Sequence, residues 1–162
     1  MNPTTPATHA RLMGEAIAIG RTGIQAGQTP FGCAIARAGE LVATAHNTVW
    51  LDTDITAHAE INAIRAACRA LSTVDLTGCD LYTTCEPCPM CLAASHWARI
   101  RTVYFGATIA DAAHAGFHEL HLAAAELARL GHSPLIVVGG IDRTACSALF
   151  SEWQHGPRAR SY

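Results

Sequence analysis

The sequence predicts an α/β fold, a three-layer α/β/α sandwich on a mixed five-stranded sheet, and three observations carry that expectation. Periodicity gives a helix, two hairpin strands, then helix and strand in alternation three times, and a last helix. Strand–helix–strand alternation implies parallel pairing with helices on both faces, and the hairpin adds an antiparallel pair. Half of the residues are hydrophobic and only 6% are aromatic, a composition suited to small-residue helix contacts. Finally, 162 residues without a repeat or a dividing linker read as one domain, residues 1–162, large enough to bury about two thirds of its unfolded surface.

Residues 1–6 are polar and Pro-rich and read as a loose end. Leu12, Ala16, Ile19 and Gly23 recur at helical spacing, which predicts a helix over Ala7–Ala26. Phe31–Ala36 and Leu41–Ala45 are strand-like runs flanking a loop, Arg37–Glu40, that contains Gly39. His46–Thr56, rich in Thr and Asp, reads as loop. A helix is expected over His58–Leu71 with Ile61, Ile64, Cys68 and Leu71 buried. The strand Asp80–Thr84 then feeds a helix over Cys88–Ala98, and Arg101–Gly106 is the next strand. His118–Leu130 reads as a helix through Leu120, Ala123, Leu127 and Leu130, closed by Gly131. Pro134–Val138 is the last strand. Asp142 is expected to cap a final helix buried through Cys146, Leu149, Phe150 and Trp153.

The formal charge is −2, and the chain contains no Lys. Without a basic stripe, nucleic-acid binding is disfavoured and a small-molecule partner is favoured. Of seven cysteines, Cys33, Cys68, Cys79 and Cys146 fall in apolar runs, where free Cys acts as a small hydrophobe. This usage predicts a reducing, cytoplasmic setting. No run of eighteen apolar residues and no signal-like start is seen, so no membrane span is expected.

The chemistry concentrates in two stretches, His58-Ala59-Glu60 and Pro87-Cys88-Pro89-Met90-Cys91. Pro89 suits a first helical turn, where side chains three apart share a face and both sulfurs can reach one ion. Two thiolates and one imidazole suit zinc, and three protein ligands leave the fourth tetrahedral position open. Glu60 is close enough to handle a proton there without binding the metal. Two helices that begin at one ion also turn their positive ends towards it, which favours thiolates. The expected reaction is hydrolytic. Glu60 takes a proton from the attacking water and returns it to the leaving group. Backbone N–H groups near Ala59 are candidate donors to the substrate.

H-x-E followed by P-C-x-x-C is the signature of zinc-dependent base deaminases. The likeness extends over most of the chain. Thr83–Leu92, Trp97-Ala98-Arg99, Pro30-Phe31-Gly32, Thr56–Glu60, Asp111–Phe117, Trp153 and the final Tyr162 together resemble the bacterial guanine deaminase branch of the cytidine deaminase superfamily. The resemblance implies a cytidine deaminase-like fold, one zinc per subunit on His58, Cys88 and Cys91, and Glu60 as proton shuttle. It implies that Asn47 bonds the purine, that Phe31 and Trp97 line the pocket, and that Asp111 meets the substrate amino group or relays a proton. It further implies a homodimer in which the segment 156–162 reaches across and lays Tyr162 over the partner's site. The chain departs from the pattern at His114 and His118-Glu119, where an acidic residue and an acidic pair are expected, so base preference stays open.

Plainer readings stand beside these. Asp111 also reads as the N-cap of a short helix, Phe31 and Trp97 as core aromatics, and Asn47 as a loop-shaping residue. Cys85 packs or supports the ligands. His96, His114, His118 and His121 read as polar packing or, alternatively, as a second metal site. Besides guanine deamination, the chain fits deamination of another amino-substituted ring (a purine nucleoside, pterin or triazine), or of a tRNA wobble adenosine, which the lack of Lys disfavours. A structural zinc module is the non-enzymatic alternative, and it leaves Glu60 without a purpose.

Overall fold

A computed structural model describes residues 5–162. The loose N-terminal end read from residues 1–6 therefore falls mostly outside the described residues. Within them, Thr5 already caps a helix: its hydroxyl accepts the Thr8 N–H, and α1 runs Pro6–Gln25 with Pro at its start. The remaining elements are β1 Gly32–Arg37, β2 Glu40–His46, α2 Val49–Asp52, α3 Ala59–Leu71, β3 Cys79–Cys85 and α4 Pro89–Trp97. They are followed by β4 Thr102–Ala107, α5 Ile109–His114, α6 Ala124–Leu130, β5 Ile136–Val138 and α7 Arg143–Gln154.

The five strands lie in the order β2-β1-β3-β4-β5. β1 pairs antiparallel with β2 and β3, while β3–β4 and β4–β5 are parallel. This is the mixed sheet that the alternation predicts. α1 and α7 touch each other and cover one face; α3, α4 and α6 form the other layer. Because β1 and β3 are covered on both sides, every residue of β3 and the first five of β1 are buried.

Local departures from the expected elements have identifiable causes. The hairpin loop is shorter than Arg37–Glu40. Ala38 (φ 51°) and Gly39 (φ 84°) form a two-residue turn whose backbone twist matches the strands, and a bulge sits between Ile35 and Ala36. The stretch His46–Thr56 contains the short helix α2. α1 buries Leu12, Met13, Ala16, Ile17, Gly20 and Gly23 rather than Ile19. Gly20 and Gly32 let helix and strand backbones touch: a Cβ on Gly32 would collide with Ala16 O and stand 2.6 Å from Gly20 N.

α3 buries Ala59, Glu60, Ala63 and Ala67, whereas the larger Ile61, Ile64, Cys68 and Leu71 are only half-buried at the rim. Small side chains let the helix lie close to the sheet. The helix expected from His118 begins only at Ala124 and buries Ala124 and Ala128, leaving Leu120 and Leu130 at 67% and 55% exposure. Its end is not a left-handed Gly: Gly131 has φ −81°, and His132 takes the positive φ of 49°. Asp142 precedes α7 as expected, but its φ is 47° and its side chain makes no capping bond. α7 buries Cys146, Leu149, Phe150 and Trp153, the face read from the sequence.

Candidate active site

The metal-site sequences occupy equivalent positions at two helix starts. His58 is the N-cap residue of α3 and Cys88 that of α4, both with extended backbone, and neither side chain caps its own helix. His58 Nδ1 instead lies 3.7 Å from Cys88 Sγ and 3.5 Å from Cys91 Sγ. Tetrahedral zinc, with nitrogen at about 2.0–2.1 Å and sulfur at about 2.3 Å, holds such a pair about 3.5 Å apart. The residues present therefore fit the ion. Among the described residues, no other group of three or more His, Cys, Asp or Glu brings its donor atoms within 4.8 Å of one another. The scattered histidines form no second site; His96 bonds the Ser133 hydroxyl at 2.8 Å and His114 the Ala110 carbonyl at 2.7 Å.

Both helix starts aim unpaired first-turn N–H groups at this cluster, which favours negative sulfur. Hydrogen bonding from Cys91, then from His58, outweighs burial and draws the Cys88 thiol down to about 4. Cys91, donating to Cys88 and buried, is pushed the other way. Metal uptake must release any proton that the thiols still hold.

Glu60 is the second residue of α3 and only 6% exposed, and its Oε1 accepts the Thr83 hydroxyl at 3.2 Å. Burial raises its pKa against the pull of His58. A carboxyl held nearer neutrality is suited both to taking and to giving a proton. Ala59, at the first helical position and fully buried, has an N–H with no intrahelical acceptor.

The surrounding pocket is narrow in this structure, with Tyr162 among its walls and free space for little more than a water molecule. Phe31, Asn47, Glu60, Glu119 and Tyr162 line it beside His58 and Cys88. Phe31 serves core and pocket at once, meeting Phe117 edge-on with ring centroids 4.8 Å apart. Asn47 is likewise divided. Its Oδ1 accepts the Val49 N–H at 3.0 Å and shapes the loop, while its Nδ2 donates to the Tyr162 hydroxyl at 2.8 Å. That hydroxyl also stands 3.3 Å from His58 Nε2. The tail reaches its own chain's pocket, held by the Arg160 guanidinium 3.7 Å over the Trp50 ring and by the Trp50 N–H on Arg160 O.

Two expected residues are not brought to this pocket. Trp97 is 80% exposed, on the outer side of α4 beside His96, so it is neither a core aromatic nor a lining residue of this chain's pocket. Asp111 is neither a free catalytic group nor an N-cap. Thr108 is the cap, and Asp111 closes a capping box with it while forming a bidentate pair with Arg143 at 2.9 and 3.1 Å. The Arg143 hydrogen bond, with help from Thr108, holds the Asp111 carboxyl at about 2. Asp111→Asn is therefore expected to keep turnover within about twofold while lowering stability by less than about 1 kcal/mol, the scale of a partly exposed pair. A depressed pKa contributes stability above the unfolded value near 4 and loses it as pH falls through about 2. Urea midpoints of both proteins should accordingly converge in acid.

Sequence reading missed Glu119 as a site residue, because His118–Leu130 scans as continuous helix. Its carboxyl lines the pocket and has no hydrogen-bond partner among the described residues. Burial, then the Cys88 charge, raises its pKa. The available signal was the acidic pair that the resemblance expects at His118-Glu119.

Three convergent zinc ligands at two helix starts, with a buried carboxyl beside them under an α/β/α sheet, define a zinc-dependent hydrolytic deaminase. The description "Cytidine and deoxycytidylate deaminase zinc-binding region" matches residues 6–107. The chain belongs to that family. It is 45% identical over 112 residues to the guanine deaminase of Bacillus subtilis, covering 68% of this chain and 72% of that protein. It is 48% identical over 90 residues to the tRNA-specific adenosine deaminase of Aquifex aeolicus, covering 56% and 58% respectively. The structure of guanine deaminase from Nitrosomonas europaea superposes with a TM-score of 0.82 at 31% identity, over 89% of this chain and 83% of that one.

Proposed function

We propose that this protein converts guanine and water to xanthine and ammonia. The observation that carries this reading is Glu119, a second carboxyl left free in the pocket that already contains Glu60. Guanine presents N1–H and amino donors along one edge, which a carboxylate accepts; adenine presents a bare ring nitrogen there. Similarity to two guanine deaminases supports the same choice.

Each residue then has a stated task. His58, Cys88 and Cys91 hold zinc, which when bound supplies Lewis acidity that makes water nucleophilic near neutral pH. Glu60 takes one proton from the attacking water and delivers it to the ring nitrogen, then carries the second, from the added hydroxyl, to the amino group that leaves as ammonia. Glu119 accepts from the guanine edge. Ala59 N–H donates to the ring, Asn47 offers its amide, and Phe31 packs against the purine. Tyr162 closes the pocket and keeps water out, a lid in the sense that enclosed sites require. In this reading the protein works in the cytoplasm as a homodimer. Tyr162 reaches the pocket of its own chain, so seating the lid does not require exchange of tails. The tail crosses the mouth that a tRNA loop would need, and no helix is long and apolar enough to cross a membrane among the described residues.

Ammonia release from guanine, guanosine, adenine, cytosine and tRNA tests the assignment. Guanine should exceed the others by at least about a hundredfold in kcat/KM; comparable turnover of tRNA or adenine overturns it. Deleting residues 157–162 is expected to leave zinc content and melting temperature unchanged while kcat/KM for guanine falls at least tenfold. That loss corresponds to about 1.4 kcal/mol of transition-state stabilisation. Full activity in the truncated protein would remove the lid from the mechanism.

A further inference from the structure

We infer that Glu86 is a positioning residue whose carboxylate clamps the two ends of the segment that presents Glu119 to the pocket. Glu86 follows β3 directly, just before Pro87 and the zinc cysteines. Its Oε2 accepts the Ile109 N–H at 3.2 Å and its Oε1 accepts the Ala124 N–H at 2.9 Å. These are the first residues of α5 and α6, whose N–H groups have no intrahelical acceptor. α5 has its own cap in Thr108, but α6 starts from Ala123, which has no side chain able to cap. Glu86 supplies that missing cap from a distant part of the chain.

The intervening segment has few other restraints. From His118 to Ala123, the one backbone N–H bond among the described residues runs from Leu122 to Leu120 O, at 2.8 Å. Leu120 is exposed and Leu122 only half-buried. On its upstream side Phe117 is 4% exposed, between Phe31 at 4.8 Å and Trp153 at 4.9 Å. On its downstream side the hold is Glu86. Glu119 lies between these anchors and, with its own carboxyl unbonded, cannot fix itself. Glu86 also lines the pocket, yet both its oxygens are committed to backbone donors, so it acts through Glu119 and not on substrate. One carboxylate thereby ties the start of the zinc-binding turn to the segment that reads the base.

The clamp rests on the reading of Glu119 given above for its functional consequence, but not for its structural test. Hydrogen exchange on zinc-loaded Glu86→Ala should show the bonded amides of Ile109, Leu122 and Ala124 exchanging at least about tenfold faster, with the other elements unchanged. Guanine kcat should fall more than KM rises, at unaltered zinc content. Glu86→Gln keeps the shape and one carbonyl acceptor, so it should show the same local pattern at smaller amplitude and serves if the Ala variant does not fold. Unchanged exchange at Ile109, Leu122 and Ala124, or a uniform rise across the molecule, overturns the clamp. Glu119→Gln with wild-type turnover would overturn the role of Glu119 alone, since the exchange pattern decides the clamp separately.

Discussion

Glu60→Gln should retain about one zinc per chain and lose guanine turnover by a factor of roughly a hundred to ten thousand, the range that general acid–base catalysis supplies. The substitution is close to isosteric, and the amide oxygen can still accept the Thr83 hydroxyl that Glu60 now receives at 3.2 Å. Glu60 is buried and its pKa is raised by that burial, so a neutral amide relieves desolvation and should not lower the melting temperature. What the amide cannot do is exchange protons. The loss should therefore appear almost wholly in kcat, with zinc content by elemental analysis and unfolding by calorimetry unchanged. Turnover within tenfold of wild type would mean that another group moves the proton.

Cys88→Ala and Cys91→Ala should each abolish stoichiometric zinc and lower the melting temperature of protein purified with zinc. A ligand that binds only the folded state adds its binding free energy to stability, and each variant forfeits that contribution. Chelator should then lower the melting temperature of the wild type and leave both variants unmoved. Cys91 is fully buried and its replacement also leaves a small void, so its loss should exceed that of Cys88 even without metal. Either variant retaining one zinc per chain would show that the ligand set is different.

The zinc cluster was legible because its geometry is local. Cys88, Pro89 and Cys91 need only a first helical turn to bring two sulfurs together, and His58 and Glu60 need only the start of another. The mixed sheet followed for a similar reason, since the alternation of periods leaves few ways to wind a sheet. Which face of α3 is buried was not legible. Periodicity scores apolar bulk, whereas close packing on the sheet favoured Ala59, Ala63 and Ala67 and left the isoleucines at the rim.

By itself, then, the sequence determined the mixed sandwich, through the alternation of periods, and the metal ligands with the carboxyl beside them, through spacing at two helix starts. Family resemblance named Phe31, Asn47 and Tyr162, which line the pocket, but spacing did not, and only tertiary structure brought in Glu119. Glu119 and Tyr162 stand 59 and 102 residues beyond Glu60 in the chain, and no local pattern encodes where such distant groups meet. Asp111 carries the same charge as Glu119, yet Thr108 and Arg143 occupy its carboxylate while that of Glu119 stays free. Trp97, about one and two-thirds helix turns from Cys91, is carried by the 3.6-residue period to the outer side of α4. Residue type limited what each side chain could do; the neighbours that folding supplied settled which one is free to do it.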